Sequence, residues 1–221
     1  MKVLVIATHA DDEVLGCGGV IARHVAKGDD VHIVVVTTGD PAVFTAETMK
    51  CIRAELYAAH AVLCAKNVHF LDFPAPKLDV IPGHILADAI RNTSRELTPD
   101  VIYFPHRGDI HADHKAVFWA TLVASRPSEG YAPPRLLCYE TLSETEWAAP
   151  TGEDMFIPTV YIDISEFLVQ KLEAMKCYAS QLKAEPHSRS LQAIEAQARL
   201  RGAHVGLAAA EAFMLVREIV R

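Results

Sequence analysis

An α/β fold, a Rossmann-like three-layer sandwich with a mostly parallel sheet and helices on both faces, is predicted by three observations. Short apolar runs rich in β-branched residues alternate with helical segments, the alternation covers most of the chain, and no internal repeat or linker interrupts it. Strands that alternate with helices need crossover connections, and these build a parallel sheet covered on both sides. At 221 residues there is room for one large core, so residues 1–221 are expected to form a single domain.

The elements follow in order. Val3 to Ala7 is a short apolar run ended by polar residues, Val31 to Val36 is a second, and both read as buried strands. Between them Val14, Ile21, Ala22 and Val25 recur at helical spacing, and Gly28 stands where a left-handed C-terminal cap is expected. Met49, Ile52, Leu56, Ala59 and Leu63 give a second helix by steps of three and four, followed by a strand at Val68 to Leu71. Ile85, Leu86, Ala89, Ile90 and Leu97 form a third helical face, Pro99 stops it, and Val101 to Phe104 is a fourth strand. Beyond His114 come a further helix, a strand near Leu136 to Thr141, an irregular acidic stretch to Asp154, and a strand at Phe156 to Asp163. Two helices are expected to close the chain. Phe167, Leu168, Leu172, Met175 and Ala179 share a face of the first, and the second runs from Leu191 to Val216, interrupted at Gly202 and Gly206.

Composition narrows the function. With 51% apolar and 22% charged residues the chain is an ordinary globular protein, and its net charge of −7 offers no basic footprint for a nucleic acid. A neutral or basic small molecule suits it better. No apolar run approaches the roughly 20 residues that span a bilayer, and the opening MKVLVIA reads as a first strand rather than a signal peptide. The 5 cysteines include no CxxC, which argues against a disulfide framework and for a cytoplasmic location. Among the 11 histidines, His24, His32, His60 and His69 carry no motif and read as structural.

The chemistry sits at two strand ends. His9-Ala10-Asp11-Asp12-Glu13 follows the first strand, and His111-Ala112-Asp113-His114 follows the fourth after a turn-rich loop containing Asp109. In a doubly wound sheet strands one and four are neighbours where the strand order reverses, so both clusters face one crevice at the carboxyl edge. Two imidazoles and a carboxylate are the ligand set of many hydrolytic zinc sites, and of non-haem iron oxygenases as well. The surplus of groups, Asp11 beside Asp12 and His111 three residues before His114, favours a hydrolase, which must move protons during the reaction. Taken alone, either motif is equally an ordinary polar helix start, with Asp11 or Asp12 as the cap. Gly16-Cys17-Gly18-Gly19 is no dinucleotide fingerprint, because it lies inside the first helical turns; small residues there suit close helix packing or substrate approach.

At these residues the sequence resembles the LmbE-like, or PIG-L-type, family of N-acetylglucosaminyl deacetylases, over nearly the whole chain. HADDE followed by LGCGG is similar to that family's first signature, usually His-Pro-Asp-Asp-Glu, and Pro99 to His114 is similar to its second. Arg53-Ala54-Glu55, the stretch from Lys171 to Gln181, Arg201-Gly202 and Ala210 to Phe213 are weaker matches. The resemblance implies a Zn2+ cofactor on His9, Asp12 and His114, Asp11 as general base, and His111 stabilising the oxyanion or protonating the leaving amine, with Asp113 orienting and charging it. It also implies Arg53 in substrate binding or holding Glu55, Glu13 as support behind the ligands, an amino-sugar substrate, and a trimer or hexamer. Alanine replaces the family's usual proline at Ala10 and Ala112, and Phe73 to Lys77 stands where members often carry an aspartate that touches sugar hydroxyls. Alternative readings are a zinc amidase on a thiol-sugar conjugate and a non-catalytic Rossmann-like binding module. A two-metal phosphoesterase would want a second metal and cationic phosphate clamps, for which the sequence offers few candidates.

Overall fold

A computed structural model describes residues 1–127 and 131–220. The chain runs β1 (Lys2–Ala7), α1 (Asp12–Ala26), β2 (Asp30–Gly39), α2 (Ala46–Leu63), β3 (Asn67–Ala75), α3 (Gly83–Leu97), β4 (Val101–Pro105), α4 (Ala112–Ala124), β5 (Arg135–Tyr139), β6 (Val160–Asp163), α5 (Leu168–Cys177), α6 (Leu191–Ala203) and β7 (Ala210–Glu218). Among the described residues the strands form one seven-stranded sheet in the order β3-β2-β1-β4-β5-β7-β6. The five strands from β3 to β5 are parallel, and β7 runs antiparallel to both β5 and β6.

Alternation along the strands separates two cores. Val3, Val5, Ile33, Val35 and Tyr103 point to the side covered by α1, α2, α5 and α6. Leu4, Ile6, Val34, Ile102 and Phe104 point to the other, against α3 and α4. Both faces are dry, which is why these strands read as unbroken apolar runs. As expected, Gly28 leaves α1 with a φ of +77°. The glycines inside α1 serve packing: a Cβ on Gly16 would lie 2.2 Å from the Tyr139 ring, and one on Gly19 would lie 2.7 Å from Ile164.

The chain's end departs from expectation. The helix expected from Leu191 to Val216 stops at Ala203, and Ala210 to Glu218 is instead the strand β7. Ala209, Ala210, Ala212 and Phe213 are buried there. Alanine and glutamate favour helix locally, but a slot open between β5 and β6 offers hydrogen bonds along both edges, and that tertiary demand wins. Gly206, with a φ of +74°, lies in the turn that reverses the chain into it. No helix among the described residues is long and apolar enough to cross a membrane.

Candidate active site

Because β1 and β4 are adjacent, the loops leaving their carboxyl ends share one crevice. The first loop is held in an unusual shape. Asp11 occupies the N-cap position of α1 with a φ of 121° and makes no side-chain cap, so the plain capping role does not describe it. Its backbone N–H donates to Glu13 Oε2 (3.1 Å), while Glu13 Oε1 accepts from Tyr178 Oη (2.5 Å) and lies 3.2 Å from His60 Nε2. Glu13 thus locks the loop from behind. Asp12, fully buried, accepts from the His9 N–H through Oδ2 at 2.8 Å.

From the other loop His114 enters, also fully buried. Its Nδ1 is fixed on Asp109 Oδ2 at 2.8 Å, and Asp109 Oδ1 accepts from Thr145 Oγ1 at 2.6 Å. This leaves His114 Nε2 facing Asp12 Oδ2 at 3.2 Å without hydrogen-bond geometry. His9 Nε2 lies 3.2 Å from Asp113 Oδ2, leaving Nδ1 toward Asp12 at 3.7 Å.

One donor atom each from His9, Asp12 and His114 lie within 4.8 Å of one another, and the same holds for His9, His111 and Asp113. The first set is the better metal site. Asp12 Oδ1 and His114 Nε2 are buried with no hydrogen-bond partner, an arrangement that costs free energy unless a cation completes it. In the second set Asp113 Oδ1 already accepts from the Leu78 N–H at 2.9 Å. Electrostatics agree. Burial opposes charge on Asp12, but the His114 imidazole outweighs it and holds the carboxyl below its usual range. Burial likewise opposes an imidazolium at His114, yet Asp12 and Asp109 raise its pKa well above normal.

His111 caps α4, its Nδ1 accepting the Asp113 N–H at 3.1 Å. Asp113 orients His111 through its backbone N–H, while its carboxylate, held by His9 and Leu78, still favours a charged His111 ring but is outweighed. Burial, and then the neighbouring His9 and His114, push the His111 pKa down to about 4. With Nδ1 accepting, the one proton of the neutral ring sits on Nε2.

Beside this cluster opens a cavity of about 320 Å³. Asp11 Oδ2 accepts from Arg189 Nη1 at 2.8 Å, Arg189 Nε donates to Ser143 Oγ at 2.6 Å, and Nη2 reaches Glu144 Oε1 at 3.4 Å. Burial pushes the Asp11 carboxyl well above the usual range against the pull of Arg189. Burial also carries Glu144 up to about 7, opposed by His114 and Arg189. Arg53 lines the cavity, stacked over Phe70 at 4.0 Å and paired with Asp72 at 2.9 Å. It does not hold Glu55, whose carboxylate accepts from the Ser180 N–H and hydroxyl.

The family model described as GlcNAc-PI de-N-acetylase, PIG-L, matches residues 4–125, over half of the chain, and spans both loops. The chain belongs to the PIG-L family. Its relatives include an uncharacterized deacetylase, YaiS, of Escherichia coli (strain K12), 32% identical over 188 residues that cover 80% of this chain and 90% of that one. The 1D-myo-inositol 2-acetamido-2-deoxy-alpha-D-glucopyranoside deacetylase of Mycobacterium sp. (strain JLS) is 27% identical over 243 residues, covering 86% and 77%. The crystal structure of the conserved protein TT1542 from Thermus thermophilus matches with a TM-score of 0.79 at 26% identity, over 99% of this chain and 96% of that one. Membership supports an N-deacetylase enzyme with an LmbE-like fold and a site able to hold a metal.

In this PIG-L-family chain the seven residues read from the sequence meet at the crevice and its cavity, and three others there were missed. Arg189 and Glu144 carry no local signal, since they meet Asp11 only through the fold. Asp109 had one: a carboxylate five residues before a metal-type histidine, which often orients its ring.

Proposed function

We propose that this chain is a zinc-dependent hydrolase that removes an N-acetyl group from an amino sugar or amino-sugar conjugate. The observation that carries the reading is the pair of orphaned buried atoms, Asp12 Oδ1 and His114 Nε2, beside His9 and next to an aspartate outside the ligand set. His9, Asp12 and His114 would hold the ion. Zinc supplies Lewis acidity there, polarising a carbonyl oxygen and lowering the pKa of water.

The chain's own groups do the rest. With Oδ2 anchored on Arg189, Asp11 takes the proton of the attacking water through Oδ1, and it returns that proton to the amide nitrogen as the C–N bond breaks. Its burial suits the task, since desolvation makes the ionised carboxylate a stronger base than an exposed one. His111, neutral with its proton on Nε2, donates a hydrogen bond to the developing oxyanion rather than a full proton. Acetate and a free amine leave. The amino-sugar substrate rests on relatives such as the mycobacterial deacetylase, named for a 2-acetamido-2-deoxyglucoside.

The test is acetate release from N-acetylglucosamine and its glycosides, before and after chelation and after adding back zinc. Release that stops on chelation and returns with zinc is expected. Turnover that survives full chelation overturns the metal-dependent reading, and stoichiometric zinc without release from any N-acetyl sugar overturns the substrate.

A further inference from the structure

The cavity has one apolar side. Its volume of about 320 Å³ equals on the order of ten waters at about 30 Å³ each. Away from the catalytic loops it becomes a slot between α2 and the strands β2 and β3, walled by Val35, Phe44, Met49, Ile52, Leu56 and Phe70. Val35 and Leu56 form part of the buried core, so this wall is set by packing. Two of the polar groups along it have partners within the chain. Thr37 Oγ1 donates to the Thr8 carbonyl at 2.7 Å, and Arg53 is committed to Asp72 and to the face of Phe70. Outside the catalytic end, that leaves Thr38 and Gln181 as the other polar side chains of the lining. Against the wall itself, which carries no polar side chain, hydroxyls find no partner, whereas methylenes or an aryl ring lose nothing there.

We propose that this slot is a subsite for an apolar group, alkyl or aryl, that the substrate carries beside the scissile amide. It rests on amide hydrolysis at the adjacent cluster. The shared chemistry has two sources, a long acyl chain on the nitrogen or an apolar aglycone on the sugar, and the experiment separates them. One arm compares N-acetyl-, N-butyryl- and N-hexanoyl-glucosamine; the other compares methyl, butyl and hexyl glycosides of N-acetylglucosamine. In one arm kcat/KM rises tenfold or more over the series, because a methylene taken from water into an apolar wall contributes a few-fold. Ile52→Asn flattens that rise, lowering the ratio of longest to shortest substrate by tenfold or more.

Binding of hexyl glucoside, which has no amide, is measured beside the kinetics in wild type and in Ile52→Asn. This readout keeps the subsite separate from the hydrolytic reading. If nothing is hydrolysed yet hexyl glucoside binds at least tenfold more tightly than methyl glucoside, and Ile52→Asn removes the difference, the hydrolase fails and the subsite stands. Flat kinetics in both arms, with hexyl and methyl glucoside binding alike, overturn the subsite whatever the activity. Should Ile52→Asn fail to fold, Met49→Gln on the same wall is the second variant, with the same outcomes.

Discussion

Two clusters of buried charge among the described residues are finished differently. Lys171 and Glu211 form an ion pair at 2.6 Å, 3% and 4% exposed, behind α1. Lys171 Nζ also donates to the Leu15 carbonyl at 2.7 Å, and Glu211 accepts the Gly19 and Val20 N–H groups at 3.0 and 2.7 Å. Neither residue is among the buried groups without a partner. At the carboxyl edge of the sheet, by contrast, Asp12 and His114 each keep an orphaned atom, and Asp11 is buried against its preference for charge. Burial alone therefore does not mark function. Charge whose partners are all supplied by the chain closes a structure, and charge left incomplete awaits something from outside.

The largest effect that would break this comparison is at Asp11. Asp11→Asn should lower kcat by about 10²- to 10⁴-fold, the usual worth of a general base, while zinc content stays at about one per chain. Turnover within a few-fold of wild type would move the base elsewhere. Next comes the ion pair. Glu211→Gln strands a buried ammonium, so urea unfolding should show a loss of about 3–5 kcal/mol, with kcat of the folded protein little changed. A loss well under 1 kcal/mol would mean that the pair is not completed as described. Asp109→Asn sharpens the contrast from the metal side. It leaves the ligands intact but loosens the orientation of the His114 ring, and competition with a chelator should read about 10- to 100-fold weaker zinc binding.

How much of this could be read from the sequence follows from the range of the interactions. The parallel strands and both loops were legible, because apolar runs, helical spacing and a His/Asp cluster at a strand end are local signals. β7 was not, since Ala209 to Ala212 reads as helix until β5 and β6 are in place on either side. Arg189 was invisible for a similar reason: Asp11 and Ser143, its nearest partners, lie 178 and 46 residues away. Asp113 is a subtler case. Its attraction for a charged His111 ring is present, but burial and the neighbouring His9 and His114 outweigh it, and neither the burial nor the backbone N–H that the helix start turns toward His111 Nδ1 is written in the local sequence.

The smallest expected effect concerns Glu144, which belongs to the incomplete cluster although its contact with Arg189 is long, 3.4 Å. Burial raises its folded pKa to about 7, from an ordinary value near 4.5. Between those two values the folded chain holds a proton that the unfolded chain has released, so this group costs stability as pH rises through the window, and the cost levels off above about 7. Glu144→Gln mimics the protonated form at every pH. In chelated protein the variant should therefore match wild type near pH 4 and become the more stable of the two as pH rises toward 7.5. Because the side chain is partly open to solvent, screening trims the gain to roughly 1 kcal/mol, about 2–4 °C in Tm for a chain of this size. Thermal melts of both proteins across that range read the difference directly. A gap that is constant with pH would assign the change to packing rather than to titration, and a gap that shrinks toward neutrality would mean that Arg189 already completes Glu144 as Lys171 completes Glu211.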